Sequence, residues 1–350
     1  MTVTELPGTT ESPAAGRRVT PTARLVLPAD ADRNRWLDAR RAGIGSSDVP
    51  AILGVNDYAT PLHVYLDKLG ELSDDAGEAA HWGNVLEEPV AREWARRNRS
   101  VVRRVGLVAH QDESWRRATL DRRITECPLP ESRREACALE VKTRSAFKSA
   151  QWHSGAPDDV LAQVLWQMAV TGYDHMHYAV LIGGNDYRQG VVRADQHRQT
   201  TADVLTAVAI FWTGNVLARV RPPHSGTPAR NVELYRRLHT ERVGVVHLDH
   251  QPDAHNALLD YETARLEEAA ARKRKEVAQA ELLRLLGDAQ VAALGNGKAW
   301  SMEPTVGRPS TDYGRLAERW PDAYADCVTT KPGERLDIDK AFRLKPQKES

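Results

Sequence analysis

The chain has 350 residues, 41% hydrophobic and 27% charged, with 48 basic and 48 acidic side chains giving zero formal charge. That is the composition of a globular protein of one large or two ordinary domains, and no apolar run approaches the roughly 20 residues of a membrane span. Three cysteines, Cys127, Cys137 and Cys327, with no CxxC pair, argue against a disulfide framework and exclude a four-cysteine metal centre within one chain. The opening residues lack the apolar stretch of a secretory signal, so the cytoplasm is the expected location. Neutral total charge is not the basic footprint usual in nucleic-acid binders, although unevenly placed cations can still line a groove.

In chain order, residues 1–28 read as a disordered arm, rich in Thr, Pro, Gly and Ala. A helix over 34–42 ends at Gly43, and Ser46, Ser47 or Asp48 is placed to cap the apolar segment 49–53. Thr60-Pro61 opens a helix that stops at Gly70, and a further helix over 84–97 carries Pro89. Strands are expected over 101–108, 115–121 and 136–143. Leu161, Val164, Leu165 and Met168 then mark the buried stripe of a helix over 158–171, closed by Gly172. A hairpin of strands 177–182 and 187–192 turns at 183–186, and a helix follows over 201–218.

Arg221-Pro222-Pro223-His224-Ser225-Gly226 is the strongest boundary signal. It gives an α/β domain over 29–222 and an extension over 223–350. The extension holds a long charged helix over 261–286 and a small module with Trp300, Trp320, Tyr324 and Ile338, and it frays over 345–350. His247, His250 and His255 fall in a loop between modules and lack a fourth metal ligand. The alternating charges of 265–284 suit a solvated helix face rather than a DNA contact.

The chemistry concentrates in Leu139-Glu140-Val141-Lys142. On a strand, alternate side chains share a face, so Glu140 and Lys142 point one way while Leu139 and Val141 enter the core. A carboxylate beside an ammonium is a surface ion pair, or it is half of a phosphodiesterase: the acid holds a divalent cation and the amine orients the attacking water. Asp121, at the end of the preceding strand, supplies the second carboxylate for an ion such as Mg2+, which binds through one or two carboxylates, waters and substrate phosphate.

Thr119-Leu120-Asp121 followed by Glu140-Val141-Lys142, in this order of elements, resembles the PD-(D/E)xK nuclease superfamily. Three further stretches are similar to motifs of its YqaJ-type viral recombinase family, relatives of phage lambda exonuclease. These are Trp36 and Arg40 leading into Gly43-Ile44-Gly45-Ser46-Ser47-Asp48; His81-Trp82-Gly83-Asn84-Val85-Leu86-Glu87; and Ala162-Gln163-Val164-Leu165-Trp166-Gln167-Met168. The resemblance covers about residues 34–195.

It implies a restriction-endonuclease-like α/β core, a mixed central sheet flanked by helices, with a helical C-terminal extension. It also implies a Mg2+-dependent DNA exonuclease, with Mn2+ able to substitute, acting 5′ to 3′ on linear duplex ends in phage-type recombination. Asp121, Glu140 and the carbonyl of Val141 become metal ligands, Lys142 positions the water, and Glu87 serves a second metal position or holds Lys142. Arg40 and Ser47 grip phosphate and Gln163 faces the site, while Gln167 is expected to be solvent-exposed or supporting. A single-strand annealing protein and a trimeric ring of this chain are implied as partners. Arg122 stands where the family has glycine, which alters the turn or adds a phosphate contact. Alternative functions on the same core are a site- or structure-specific endonuclease and a catalytically decayed DNA-end-binding module.

Overall fold

The computed structural model describes residues 16–72, 77–130, 136–241, 243–304 and 310–329, so the expectations for the first 15 residues, Ile338 and 345–350 lie outside the described residues. The chain divides into two units, Met1–Gly244 and Val245–Ser350.

The first unit opens with β1 (Ala23–Leu27), α1 (Arg33–Arg41), α2 (Val49–Ile52), α3 (Pro61–Lys68) and α4 (Glu78–Asn98). Short strands follow: β2 (Val102–Arg103), β3 (Leu107–His110), β4 (Arg117–Thr119) and β5 (Arg122–Ile124). Then come β6 (Cys137–Arg144), α5 (Asp158–Thr171), β7 (His175–Ile182), β8 (Asp186–Arg193), α6 (Arg198–Phe211) and α7 (Pro228–Leu238). The five-stranded sheet runs β2-β5-β6-β7-β8 and a three-stranded sheet runs β1-β3-β4. Among the described strands only β6 and β7 pair in parallel, because α5 carries the chain back across the sheet between them. The result is the mixed α/β sheet with helical flanks that the motifs imply. Leu139, Val141 and Ala179 face α4 through Val90, Ala91 and Trp94, while Ala138, Tyr178 and Val180 face α5 through Val164, Leu165 and Met168.

Several expectations change. The stretch 101–108 is two strands in two sheets: β2 pairs with β5, whereas β3 pairs with β1 and β4. Gly106 lies at the break, and a Cβ there would sit 1.8 Å from the Leu27 carbonyl oxygen. Gly106→Ala is therefore expected to lower unfolding free energy by about 1–3 kcal/mol through overpacking; an unchanged denaturant midpoint would show that the close approach is not needed.

The segment 115–121 likewise divides. Arg117–Thr119 belongs to the small sheet, and the chain crosses at Leu120 and Asp121 into β5 of the large one. β1 lies within the stretch expected to be a disordered arm, because Ala23 and Leu27 are buried and β3 pairs along it. The first unit also continues beyond the boundary expected at 222. Leu234 of α7 is buried in the core with Leu62 and Val64, and Asn231 accepts a 2.6 Å hydrogen bond from Thr60.

Helix α4 starts earlier than Asn84, which leaves Pro89 inside it, on the exposed face. The stretch Ala194–Leu217 has the length and hydropathy of a membrane span. Its residues Val204, Val208, Phe211, Trp212 and Val216 nevertheless form part of the buried core.

In the second unit α8 (Pro252–Leu286) begins before residue 261 and is exposed along its length apart from Leu286 and the half-buried Ala254 and Glu262. Pairs such as Arg272–Glu276 and Arg284–Glu281 brace its surface. A hairpin of β9 (Val291–Ala293) and β10 (Ala299–Ser301) follows, with α9 (Tyr313–Arg319) and α10 (Pro321–Cys327).

Candidate active site

Where the chain leaves the small sheet, Asp121 turns its carboxylate towards β6 and accepts a 2.7 Å hydrogen bond from the Val141 amide. That bond fixes Asp121 beside Glu140, the residue before Val141 on the central strand. Glu140 is 1% exposed, so it is no surface ion pair. Its Oε1 accepts from Lys142 and, at 2.6 Å, from Gln163 Nε2, and its Oε2 accepts from Gln167 Nε2 at 2.8 Å. Lys142 in turn donates to Gln163 Oε1 at 2.9 Å. A buried carboxylate is tolerated only with such a set of donors.

Gln163 and Gln167 are one turn apart on α5 and so share the face that meets β6. Gln167 is fully buried, so of the two expected roles it takes the supporting one and not the exposed one, and it also donates to the Thr119 carbonyl at 3.1 Å. The i, i+4 spacing of two glutamines was the available signal. It was masked because Leu161, Val164, Leu165 and Met168 already define an apolar stripe, and the polar residues look like its solvated opposite.

Glu87 of α4 approaches from the other side of the sheet. Its carboxylate pairs with Arg122 rather than Lys142, and Arg122 also holds Glu88 Oε2 at 2.5 Å. Arg122 is 2% exposed. The arginine in the glycine's place is therefore a buried clamp between β5 and α4, not an additional phosphate contact. Arg122→Ala is expected to cost about 1–3 kcal/mol, since both glutamates retain some water; thermal unfolding would measure it, and a melting temperature equal to the unsubstituted chain's would remove the clamp.

Asp121, Glu140, Val141, Lys142, Glu87, Gln163 and Ser47 line one cavity of about 660 Å3. Seven of the eight residues expected at the site thus converge; Arg40 stays outside the lining. Its guanidinium is 2.7 Å from Asp48 Oδ1 and 3.5 Å from Ser47 Oγ, so it braces the loop from which Ser47 projects. Asp48, not Ser47, occupies the N-cap position of the four-residue α2, and its carboxylate accepts from the Gly45 amide instead of capping. Ser47 is left exposed at the cavity wall.

The electrostatics favour a cation. Burial first, then the neighbouring Glu140 and Glu87, push the Asp121 carboxyl well above the usual carboxylate range, against the opposing pull of Lys142. Three carboxylates, Asp121, Glu140 and Glu87, line the cavity with two cationic side chains, Lys142 and Arg144, and all the candidate donors are hard oxygens of the kind Mg2+ takes. The residues fit a divalent cation. His247, His250 and His255 form no such grouping among the described residues.

A carboxylate–carboxylate–lysine cluster, set where an antiparallel strand pair meets a parallel crossover on an α/β fold, is the arrangement that the resemblance to the PD-(D/E)xK superfamily implies. Residues 35–174 match the model of the family described as the YqaJ-like viral recombinase domain. The chain is similar to the YqaJ protein of Bacillus subtilis (strain 168), 28% identical over 86% of this chain and 92% of that one. Among solved structures it is similar to an alkaline exonuclease from Laribacter hongkongensis, with 16% identity and a TM-score of 0.41, over 58% of this chain and 96% of that one. The complex of that exonuclease with dAMP matches equally.

Proposed function

We propose that this chain is a Mg2+-dependent deoxyribonuclease, an exonuclease that enters at linear duplex ends, and that Asp121, Glu140 and Lys142 carry its chemistry. The observation that carries this reading is the convergence of Asp121, Glu140 and Lys142 on one cavity large enough for a phosphodiester. Asp121, Glu140 and the Val141 carbonyl would hold the cation, with Glu87 beside them; Mn2+ could replace Mg2+. The ion, when bound, supplies a water of lowered pKa and neutralises charge developing on the phosphate.

The remaining work belongs to side chains. Lys142, held between Glu140 and Gln163, aims an N–H at the attacking oxygen and steadies the negative charge growing there. Gln163 and Gln167 fix both oxygens of Glu140, so the carboxylate does not rotate as charge moves. Ser47 offers a hydroxyl to substrate phosphate, and Arg40, whose side chain is partly exposed, supports the Ser47 loop. The direction 5′ to 3′, a single-strand annealing partner and a trimeric ring rest on the family resemblance alone, and a cytoplasmic site of action rests on the composition of the opening residues.

Incubation of the purified chain with Mg2+ and either linear or covalently closed circular duplex tests the reading. Nucleotide release from linear DNA only, and none in chelator, is expected. Cutting of circles would replace the exonuclease by an endonuclease on the same core. Metal-dependent stabilisation without cleavage of any substrate would leave a DNA-end-binding module.

A further inference from the structure

On the face of β6 opposite Glu140 lies a second group of polar side chains, which the hydrolysis above does not use. Cys137 opens β6, Cys127 follows β5, and His175 and His177 alternate along the start of β7. All four are buried, and their sulfur and ring-nitrogen atoms lie within 4.8 Å of one another. Cys127 Sγ is 3.2 Å from His175 Nε2 and 3.5 Å from His177 Nε2. In a tetrahedral zinc centre, bonds of about 2.3 Å to sulfur and 2.0–2.1 Å to nitrogen place sulfur and nitrogen about 3.6 Å apart. Cys127 and the two histidines therefore already stand close to ligand spacing, and Cys137 lies within 4.8 Å of them.

The surroundings support a metal over a chance meeting of polar residues. Cys127 and Cys137 sit in an apolar cluster with Val90, Trp94, Ile124 and Leu139, where a polar group without a partner is costly. The Asp174 carboxylate lies 2.5 Å from His175 Nδ1. By accepting that N–H it leaves a lone pair on Nε2, the atom that faces Cys127, in the carboxylate–histidine–metal arrangement common around zinc. Two thiolates and two imidazoles select Zn2+ over Mg2+, and four protein ligands leave no open position for chemistry.

We infer that Cys127, Cys137, His175 and His177 bind one structural zinc ion that ties the segment after β5 to β6 and β7. The two thiols give up their protons to solvent as the two zinc–sulfur bonds form. The ion would brace the strands that carry Asp121 and Glu140 from their other face, only three residues along β6 from Glu140. Sequence spacing conceals the site, because the two cysteines are separated by a connection and the histidines come from a strand beyond a crossover helix.

The test uses the full chain, freed of any histidine tag and dialysed against Mg2+ buffer, with metal content measured by plasma mass spectrometry. One zinc per chain is expected in the unsubstituted protein and in Asp121→Asn. Cys127→Ser and His177→Ala should lose it, with a lower melting temperature. Exchange with Co2+ should give tetrahedral d–d bands and thiolate charge-transfer absorption in the parent chain. A parent chain that carries no zinc, and whose melting temperature added Zn2+ does not raise, overturns the assignment whether or not the variants fold. So does a Cys127–Cys137 disulfide found by mass spectrometry, or zinc that disappears in Asp121→Asn and persists in Cys127→Ser.

Discussion

Asp121→Asn is expected to slow cleavage of linear duplex by about a thousandfold, equivalent to about 4 kcal/mol of lost transition-state stabilisation. Asparagine keeps the oxygen that accepts from the Val141 amide, so the turn into β5 should survive while the charge is lost. Lys142→Ala should cost about a hundredfold or more on the same assay. The double variant should fall little below Asp121→Asn alone, because groups that act on one water are not additive.

The stability of Asp121→Asn should move the other way. In the metal-free chain, burial together with Glu140 and Glu87 raises the Asp121 pKa above its unfolded value. Stability from its protonated form is therefore fully present below the usual carboxylate pKa and is lost as pH rises through the raised one. In chelator at neutral pH, Asp121→Asn should melt no lower than the unsubstituted chain, and Mg2+ should stabilise only the latter. Normal cleavage by Asp121→Asn would remove the proposed site, and a large drop in its metal-free melting temperature would mean that the carboxylate serves the fold.

Much of this site was legible because it is written in local pattern. Alternation along 139–142 places Glu140 and Lys142 on one face, and the stripe over 158–171 is reproduced by α5 to the residue. What was not legible depends on partners distant in sequence. Nothing local shows that Arg122 will meet Glu87 and Glu88 from a helix more than 30 residues earlier. The strand stretch 101–108 divides because Gly106 permits a backbone contact with Leu27, which no propensity encodes. The Pro-rich segment 221–226 looks like a domain end because it follows a helical stretch that stops at Leu217, but the domain boundary depends on whether Leu234 finds a core beyond it.

Asp48→Ala is expected to be strongly destabilising although it lies away from the proposed catalytic groups. Lys68 is buried, with its ammonium 2.6 Å from Asp48 Oδ2 and its next acid, Asp67, at 3.8 Å. Burial alone would push the Asp48 carboxyl up, but Lys68 and then Arg40 hold it below the usual carboxylate range. A lowered folded-state pKa contributes stability that is present above the unfolded value and is lost as pH falls through the folded one, so this pair resists all but strong acid.

Removing the aspartate leaves the ammonium of Lys68 buried beside a guanidinium, at a cost of about 3–5 kcal/mol. For a unit of this size that is about 10 °C in melting temperature or somewhat more. Asp48→Asn with Lys68→Met should recover most of the loss. Asparagine retains an acceptor for the Gly45 amide, methionine fills the volume of the lysine stem, and the partly exposed Arg40 can be hydrated. If the double variant melts as low as Asp48→Ala, the loop geometry around Ser47 rather than charge burial sets the cost. If Asp48→Ala itself melts within a degree of the unsubstituted chain, Lys68 must reach water in solution, and the buried ion pair is not what fixes the Ser47 loop against the cavity.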